Sequence, residues 1–79
     1  MSTHKLNAET LDPNYIQVSR KRAAEILGVS LATFNRLRVS DPNCPTGYRH
    51  GNGRNVAVTF RLSDIYQYSE HRMKEAETA

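Results

Sequence analysis

A glycine between two short helical segments constrains the fold of this chain more than any other feature. In the stretch AEILGVSLATFNRLR, residues 24–38, Gly28 separates one apolar-periodic segment from the next. Glycine adopts a positive φ without a steric penalty, and this conformation ends many helices. Ser30 follows, and its side chain can accept a hydrogen bond from an exposed backbone N–H of a second helix. The pattern therefore predicts two helices joined by a tight turn.

The two predicted helices are short and need each other. The first spans about residues 20–27, with Ser19 as its N-cap at the end of a short extended lead-in over residues 15–19. The second spans about residues 31–38. A helix of about two turns is not stable alone in water, so its apolar side, which includes Phe34, must dock on the first helix. Ala24 is small enough to let the two helices cross closely.

The rest of the chain predicts a hairpin and a third helix. Residues 39–45, VSDPNCP, break helical structure through two prolines and an Asp-Pro-Asn turn. Residues 46–50 and 56–60 surround the glycine-rich loop GNGRN and predict an antiparallel hairpin. Ser63 is the expected N-cap of a helix at about residues 64–75. Helical spacing places Ile65, Tyr68 and Met73 on the side of this helix that is expected to pack inward. The order predicts an α+β winged helix-turn-helix fold, with a two-helix unit, a two-stranded β-hairpin wing and a C-terminal helix.

A chain of 79 residues is long enough for one small domain. We expect a flexible N-terminal arm at residues 1–14, the winged helix-turn-helix domain at residues 15–75 and a disordered tail at residues 76–79. The single cysteine, Cys44, excludes an intrachain disulfide and is expected to be a small packed side chain. No apolar run suggests a signal peptide or a membrane span, so we expect a cytoplasmic protein with no membrane partner.

Positive charge is concentrated in the middle of the chain. Residues 15–61 carry eight basic side chains against Glu25 and Asp41, whereas both flanks are mildly acidic. Such clustering favours a polyanion such as nucleic acid as the partner, and ordinary solubility charge is the alternative. Cations at a helix N-terminus oppose the helix dipole, which favours a phosphate-facing role over a solvated triplet. Three of them crowd the first turn of the first helix: Arg20, Lys21 and Arg22.

The sequence offers little support for catalysis or metal binding. Its three histidines are far apart, and one cysteine cannot form the spaced ligand set of a zinc site. The loop GNGRN lacks the lysine and the following helix of a phosphate-binding loop. We therefore expect no enzymatic activity, no cofactor and no metal. The four tyrosines could stack unpaired bases, but core packing and helix-face positions explain them better: Tyr15, Tyr48, Tyr66 and Tyr68.

Several motifs resemble the AlpA-type regulators and phage excisionases, small winged helix-turn-helix proteins distantly similar to the MerR DNA-binding domain. The resemblance covers roughly residues 15–70. The matching positions are Leu27-Gly28-Val29-Ser30, Thr33, Phe34, Arg36, Pro45, Phe60 and Arg61-Leu62-Ser63-Asp64. The chain departs from the family at Tyr68, where a tryptophan is usual, and at Ser69, where a leucine is usual.

The resemblance implies sequence-specific binding of double-stranded DNA in a bacterial host, associated with the nucleoid. The function would be that of a phage or mobile-element excisionase, a small transcriptional regulator, or both. Its implied partners are an integrase or recombinase and further copies of the chain, bound cooperatively along the DNA. The alternative is a protein-interaction adaptor for a recombinase or polymerase that does not read DNA sequence.

Helix-turn-helix proteins place the second helix in the major groove, and a wing grips the neighbouring groove. The expected base contacts come from the outward side of the second helix: Ala32, Asn35 and Arg36. The expected phosphate contacts are Arg20, Lys21, Arg22, Ser30, Thr33 and Arg38. The expected wing contacts are Arg49, His50, Asn52 and Arg54. Solvated surface is the alternative for each of these residues alone.

Overall fold

Three helices and a three-stranded antiparallel sheet form the described part of the chain. A computed structural model describes residues 12–53 and 56–78. The elements are β1 (Gln17–Ser19), α1 (Arg20–Leu27), α2 (Leu31–Ser40), β2 (Tyr48–Arg49), β3 (Val58–Arg61) and α3 (Leu62–Thr78). This is a small α+β domain, as predicted, and it is compatible with a winged helix-turn-helix.

The sheet has one strand more than the predicted hairpin. Its order is β1-β3-β2, with β3 in the centre and antiparallel to both neighbours. Val18 lies opposite Phe60, and Tyr48 lies opposite Thr59. The segment before α1 was expected to be only an extended lead-in. It becomes a strand because it pairs with the second edge of β3 and places Val18 against the core.

The caps predicted around the turn are present. The Ser19 Oγ accepts a hydrogen bond from the Arg22 N–H at 3.1 Å, and the Ser30 Oγ accepts one from the Thr33 N–H at 3.1 Å. Gly28 has a φ of 73°, the left-handed conformation that ends α1. The predicted bounds of α1 and the tight turn are therefore confirmed.

The core lies between the sheet and the three helices. It consists of Ala23, Ala24, Phe34, Cys44, Phe60, Ile65 and Tyr68. The Phe34 and Phe60 rings meet edge to face, with their centroids 5.1 Å apart. This geometry is favourable for aromatic pairs and joins α2 to β3. Met73 was expected to pack inward, but its side chain is 60% exposed.

The third helix is longer than predicted at both ends. It begins at Leu62, directly after β3, so Ser63 lies inside the helix rather than capping it. The Ser63 N–H donates to the Pro13 carbonyl at 3.1 Å, which makes residues 12–14 part of the fold rather than of a flexible arm. Residues 76–78, expected in a disordered tail, are helical, whereas residues 1–11 and 79 lie outside the described residues.

The early start of α3 coincides with the end of the sheet, because Arg61 pairs with Gln17 and the Leu62 N–H donates to the Ile16 carbonyl at 2.8 Å. At 17 residues α3 is the longest of the three helices. No helix in residues 12–53 and 56–78 combines the length and the apolar character needed to cross a membrane.

Candidate nucleic-acid interface

The first turn of α1 carries three exposed cations, Arg20, Lys21 and Arg22. The Arg22 Nη1 lies 3.3 Å from the Glu25 Oε1, and this exposed ion pair offsets part of the charge of Arg22. No acidic residue occupies the first turn of α1. Because the helix N-terminus is itself partly positive, Arg20 and Lys21 make this end of α1 a strongly cationic surface.

The outer side of α2 forms one continuous surface. A shallow depression on it is lined by Ala32, Asn35, Arg36, Val39 and Ser40. The structure therefore brings the three predicted base-contacting residues together. Val39 was not predicted to belong to this surface, yet it is 89% exposed. Its spacing of seven residues from Ala32 would have indicated the shared face, had the predicted helix not ended at Arg38.

Asn35 differs from the other two predicted base contacts. Its Oδ1 atom is buried and has no hydrogen-bond partner within the described ranges. Bidentate pairing with adenine needs both the oxygen and the nitrogen of the amide. The Asn35 side chain must therefore rotate before it can read adenine, whereas Ala32 and Arg36 are exposed as they stand.

Ser30 and Thr33, expected to contact phosphates, form a small hydrogen-bonded network at the start of α2. The Ser30 hydroxyl donates to the Thr33 Oγ1 at 3.0 Å, and the Arg36 Nη2 donates to the same oxygen at 3.4 Å. Because Thr33 accepts both bonds, its own hydroxyl proton can be donated to a phosphate oxygen. Ser30, in contrast, uses its side chain to cap the helix.

Arg38 does not have the position expected of a phosphate contact. Its Nη2 donates to the Thr46 carbonyl at 2.9 Å, and its guanidinium carbon lies 5.2 Å from the centroid of the Phe60 ring. Its Nε atom is buried without a partner among the described residues. Two contacts therefore draw the side chain back toward the segment after α2 and the core, the bond to Thr46 and the face of the Phe60 ring. Arg38 thus holds this segment in place.

The predicted wing residues divide into separate groups. The Arg49 Nη2 donates to the Gly53 carbonyl at 3.1 Å, which closes the loop after β2. His50 points along the sheet, with its Nε2 2.7 Å from the Thr59 Oγ1. Asn52 is exposed in the loop. Arg54 lies outside the described residues, so the wing tip is described only in part.

A hydrogen-bonded cluster joins the segment directly after α2 to α3. The Tyr68 hydroxyl donates to the Asp41 Oδ2 at 2.6 Å, and the Asn43 N–H donates to the Asp41 Oδ1 at 3.0 Å. The bond from Tyr68, followed by that from Asn43, lowers the pKa of Asp41. Burial, followed by the bond to Asp41, raises the pKa of Tyr68. Sequence reasoning placed Tyr68 in the core but had no local pattern that predicted its partner.

Cys44 is buried beside this cluster, which confirms the prediction that it is a packed side chain. Burial, and then the negative charge of Asp41, raises the pKa of the Cys44 thiol. The thiolate is the nucleophilic form of cysteine, so these surroundings favour the unreactive form. In residues 12–53 and 56–78, no three His, Cys, Asp or Glu side chains lie together in a way that could hold a metal ion.

No protein family, curated protein or solved structure matches this chain. The resemblance to AlpA-type regulators and excisionases therefore stays a prediction from the motifs. Function is inferred below from the surface that α1 and α2 present.

Proposed function

We propose that this protein binds double-stranded DNA in a sequence-specific manner through α2, as a winged helix-turn-helix excisionase or small transcriptional regulator. The observation that carries the proposal is the outer surface of α2, where Ala32, Arg36 and Val39 lie together on a helix with no acidic residue. The first turn of α1, which precedes α2 in the chain, carries Arg20 and Lys21. Their positive charges favour binding of the phosphate backbone of DNA.

The dimensions of α2 suit the major groove. Its ten residues span about 15 Å, and the groove of B-DNA is about 12 Å wide and admits an α-helix. The Arg36 guanidinium can pair with the O6 and N7 atoms of guanine, a contact that contributes about 1–3 kcal/mol of base discrimination. Ala32 and Val39 present methyl groups that can contact the methyl group of thymine.

Contacts to the DNA backbone would set the position of α2 in the groove. Arg20 and Lys21 bind phosphates as cations, and the Thr33 hydroxyl donates a hydrogen bond to a phosphate oxygen. Such contacts position a protein on the duplex and carry no sequence information. Base preference is therefore expected to depend on the outer side of α2 alone.

One copy of this small domain offers a modest interface, so high affinity requires several copies on repeated sites. Copies bound side by side would bend the DNA, at an elastic cost of about 1–6 kcal/mol that their combined contacts offset. A bent array can arrange the sites of an integrase for excision or block a promoter. Both roles follow from the same binding mode.

A protein-interaction adaptor is the second candidate. It is favoured by two apolar side chains on the exposed part of α2, Leu31 at 44% and Val39 at 89% exposure. Apolar residues exposed on one helix can dock on a partner protein such as a recombinase. In that case the basic residues of α1 would serve solubility rather than DNA binding.

A fluorescence-anisotropy titration against a mixed-sequence 20-base-pair duplex, repeated at several salt concentrations, separates the two candidates. Phosphate contacts release counterions, so a DNA-binding protein must lose affinity linearly on a double-logarithmic plot against salt. A steep slope supports DNA binding. A flat response, or no binding near physiological salt, rejects DNA binding and favours the adaptor.

A further inference from the structure

One face of the sheet lies opposite the core, and none of its residues belongs to the α2 surface. Along β3, Val58 and Phe60 contact the core, so the alternating Thr59 and Arg61 side chains stand on the opposite side. The strand register adds Gln17 of β1 and Tyr48 of β2 to that side. His50, directly after β2, joins them through its contact with the Thr59 hydroxyl. We call this set the outer sheet face; it comprises Gln17, Tyr48, His50, Thr59 and Arg61.

A chain of hydrogen bonds runs across the three strands on this face. The Thr59 hydroxyl donates to the Gln17 Oε1 at 2.5 Å, and the His50 Nε2 lies 2.7 Å from the same hydroxyl oxygen. A hydroxyl has one proton, so with that proton given to Gln17 the oxygen accepts from His50. These hydrogen bonds fix the side chains of Gln17 and His50 on either side of Thr59 and give the face a defined shape.

Beside this chain lies a cleft of about 330 Å³ with aromatic and cationic walls. Tyr15 is 84% exposed and Tyr48 is 45% exposed. The Arg61 guanidinium carbon lies 5.9 Å from the centroid of the Tyr48 ring. The described residues that line the cleft include no carboxylate: Asn14, Tyr15, Gln17, Tyr48, His50 and Arg61.

We propose that the outer sheet face binds single-stranded nucleic acid. An unpaired base stacks on the phenol ring of Tyr48 or Tyr15, and the Arg61 guanidinium binds the adjacent phosphate. Aromatic side chains on a positively charged surface are the general means of binding single strands, because every base has a π face. The amide groups of Asn14 and Gln17 offer donors and acceptors for the edge of the base.

The chemistry of the cleft favours a single strand over two other anionic partners. In a duplex the faces of the bases are covered by their neighbours, so a tyrosine ring cannot stack on them. An acidic peptide would satisfy Arg61 but would make no use of two exposed phenol rings. The proposal does not rest on duplex binding by α2, because the two surfaces share no residue.

The test compares labelled single strands with a duplex in the same anisotropy assay. The probes are twelve-residue oligonucleotides of deoxythymidine and of uridine, which have weak internal stacking, and the 20-base-pair duplex. We expect binding of at least one single strand by the full chain. Tyr48→Ala should weaken that binding about 5-fold to 150-fold, the range for the loss of one stacked base.

Three variants serve as controls. Tyr48→Phe keeps the ring and should keep the affinity for the single strand, and Arg61→Gln should lower it. Tyr66→Ala removes a tyrosine that is 50% exposed on α3 and should change nothing. Thermal melts followed by circular dichroism establish that each variant is folded before its affinity is compared.

The cross-comparison separates the two surfaces. Tyr48→Ala should leave duplex affinity unchanged, whereas Lys21→Ala should weaken the duplex complex more than the single-strand complex. Equal effects of Tyr48→Ala and Tyr66→Ala on the single strand would overturn the proposal. It would also be overturned if neither oligonucleotide binds; binding of a hexaglutamate peptide through Arg61 would then show that the face recognises an acidic protein instead.

Discussion

The Tyr68 hydroxyl donates a 2.6 Å hydrogen bond to the Asp41 Oδ2, and this bond joins the end of α2 to the second turn of α3. Asp41 also binds within its own segment, because its N–H donates to the Leu37 carbonyl at 2.9 Å. Asp41 directly follows α2 as its C-cap, so the pair connects the end of the helix that carries the proposed DNA-reading surface to α3.

Tyr68→Phe should therefore lower the stability of the domain. The variant keeps the buried ring and removes only the hydroxyl, so the expected loss is about 1 kcal/mol in the free energy of unfolding. Urea denaturation at neutral pH measures it. Tyr66→Phe is the matched control, because Tyr66 is half exposed, and it should unfold as the wild type does. A loss of the same size in both variants would show that the bond to Asp41 contributes nothing.

The Asp41 carboxylate makes this contribution dependent on pH. Its pKa is lowered in the fold, chiefly by the bond from Tyr68, while an unfolded aspartate titrates near pH 3.9, about the ordinary value. The lowered pKa stabilises the fold above that pH, and the stabilisation is lost as the pH falls through the folded-state pKa. The difference in the free energy of unfolding between the wild type and Tyr68→Phe should narrow below about pH 4. A gap that stays constant from pH 7 to pH 3 would contradict this.

Gly47 should tolerate substitution less well than Gly28, although both have a positive φ. A Cβ at Gly47 would lie 2.7 Å from the Val58 Cγ1 and 2.8 Å from the Phe60 Cε2, whereas a Cβ at Gly28 meets no atom within 4 Å. Gly28→Ala should cost about 1–2 kcal/mol for the left-handed backbone alone. Gly47→Ala adds steric overlap with the core and should cost about 2–4 kcal/mol. Equal losses in urea denaturation would show that the overlap relaxes freely.

Arg38 is expected to contribute to the stability of the domain rather than to DNA binding. Arg38→Ala removes the bond to the Thr46 carbonyl and the contact with the Phe60 ring, at an expected cost of about 1–2 kcal/mol. Arg20→Ala is the matched control, because an exposed arginine away from such contacts changes stability by less than about 0.5 kcal/mol. Thermal melts should rank the two variants in this order. A larger loss of stability in Arg20→Ala than in Arg38→Ala would show that Arg38 behaves as an ordinary exposed side chain.

The DNA proposal predicts different effects for Arg36 and Lys21. Arg36→Ala removes a side chain from the outer side of α2 and should relax base preference at one position. Lys21→Ala removes a phosphate contact and should weaken binding to all sequences alike, with a smaller salt slope. Binding to a pool of randomised duplexes, followed by sequencing of the bound fraction, measures both. A uniform loss in both variants would contradict the assignment of α2 as the reading helix.

The features that could be predicted from the sequence are those with local causes. Ser19, Gly28 and Ser30 each act on backbone groups within a few residues, so the bounds of α1 and the turn into α2 could be read directly from the chain. The buried positions of Phe34, Ile65 and Tyr68 followed from helical spacing in the same way. Local prediction failed at the end of α2 and at the start of α3, where residues distant in the chain take part in hydrogen bonds.

The candidate site was predicted only as far as helical spacing determines a surface. Spacing placed Ala32, Asn35 and Arg36 on one side of α2, and the structure brings them together. It could not show that Arg38 turns back to Thr46 or that the Asn35 oxygen is buried. Those outcomes depend on where the segment after α2 crosses the core.

By itself, the sequence determined two short helices joined by a tight turn, with a cationic first turn in the first helix, followed by extended segments and a third helix. Tertiary structure alone decided the third strand, the bond between Tyr68 and Asp41, and the face that carries Tyr48 and Arg61. These features join residues far apart in the chain, separated by 27 positions for Asp41 and Tyr68 and by 42 for Gln17 and Thr59. A local pattern contains no information on such pairs, because they form only when packing around the core brings their strands and helices together.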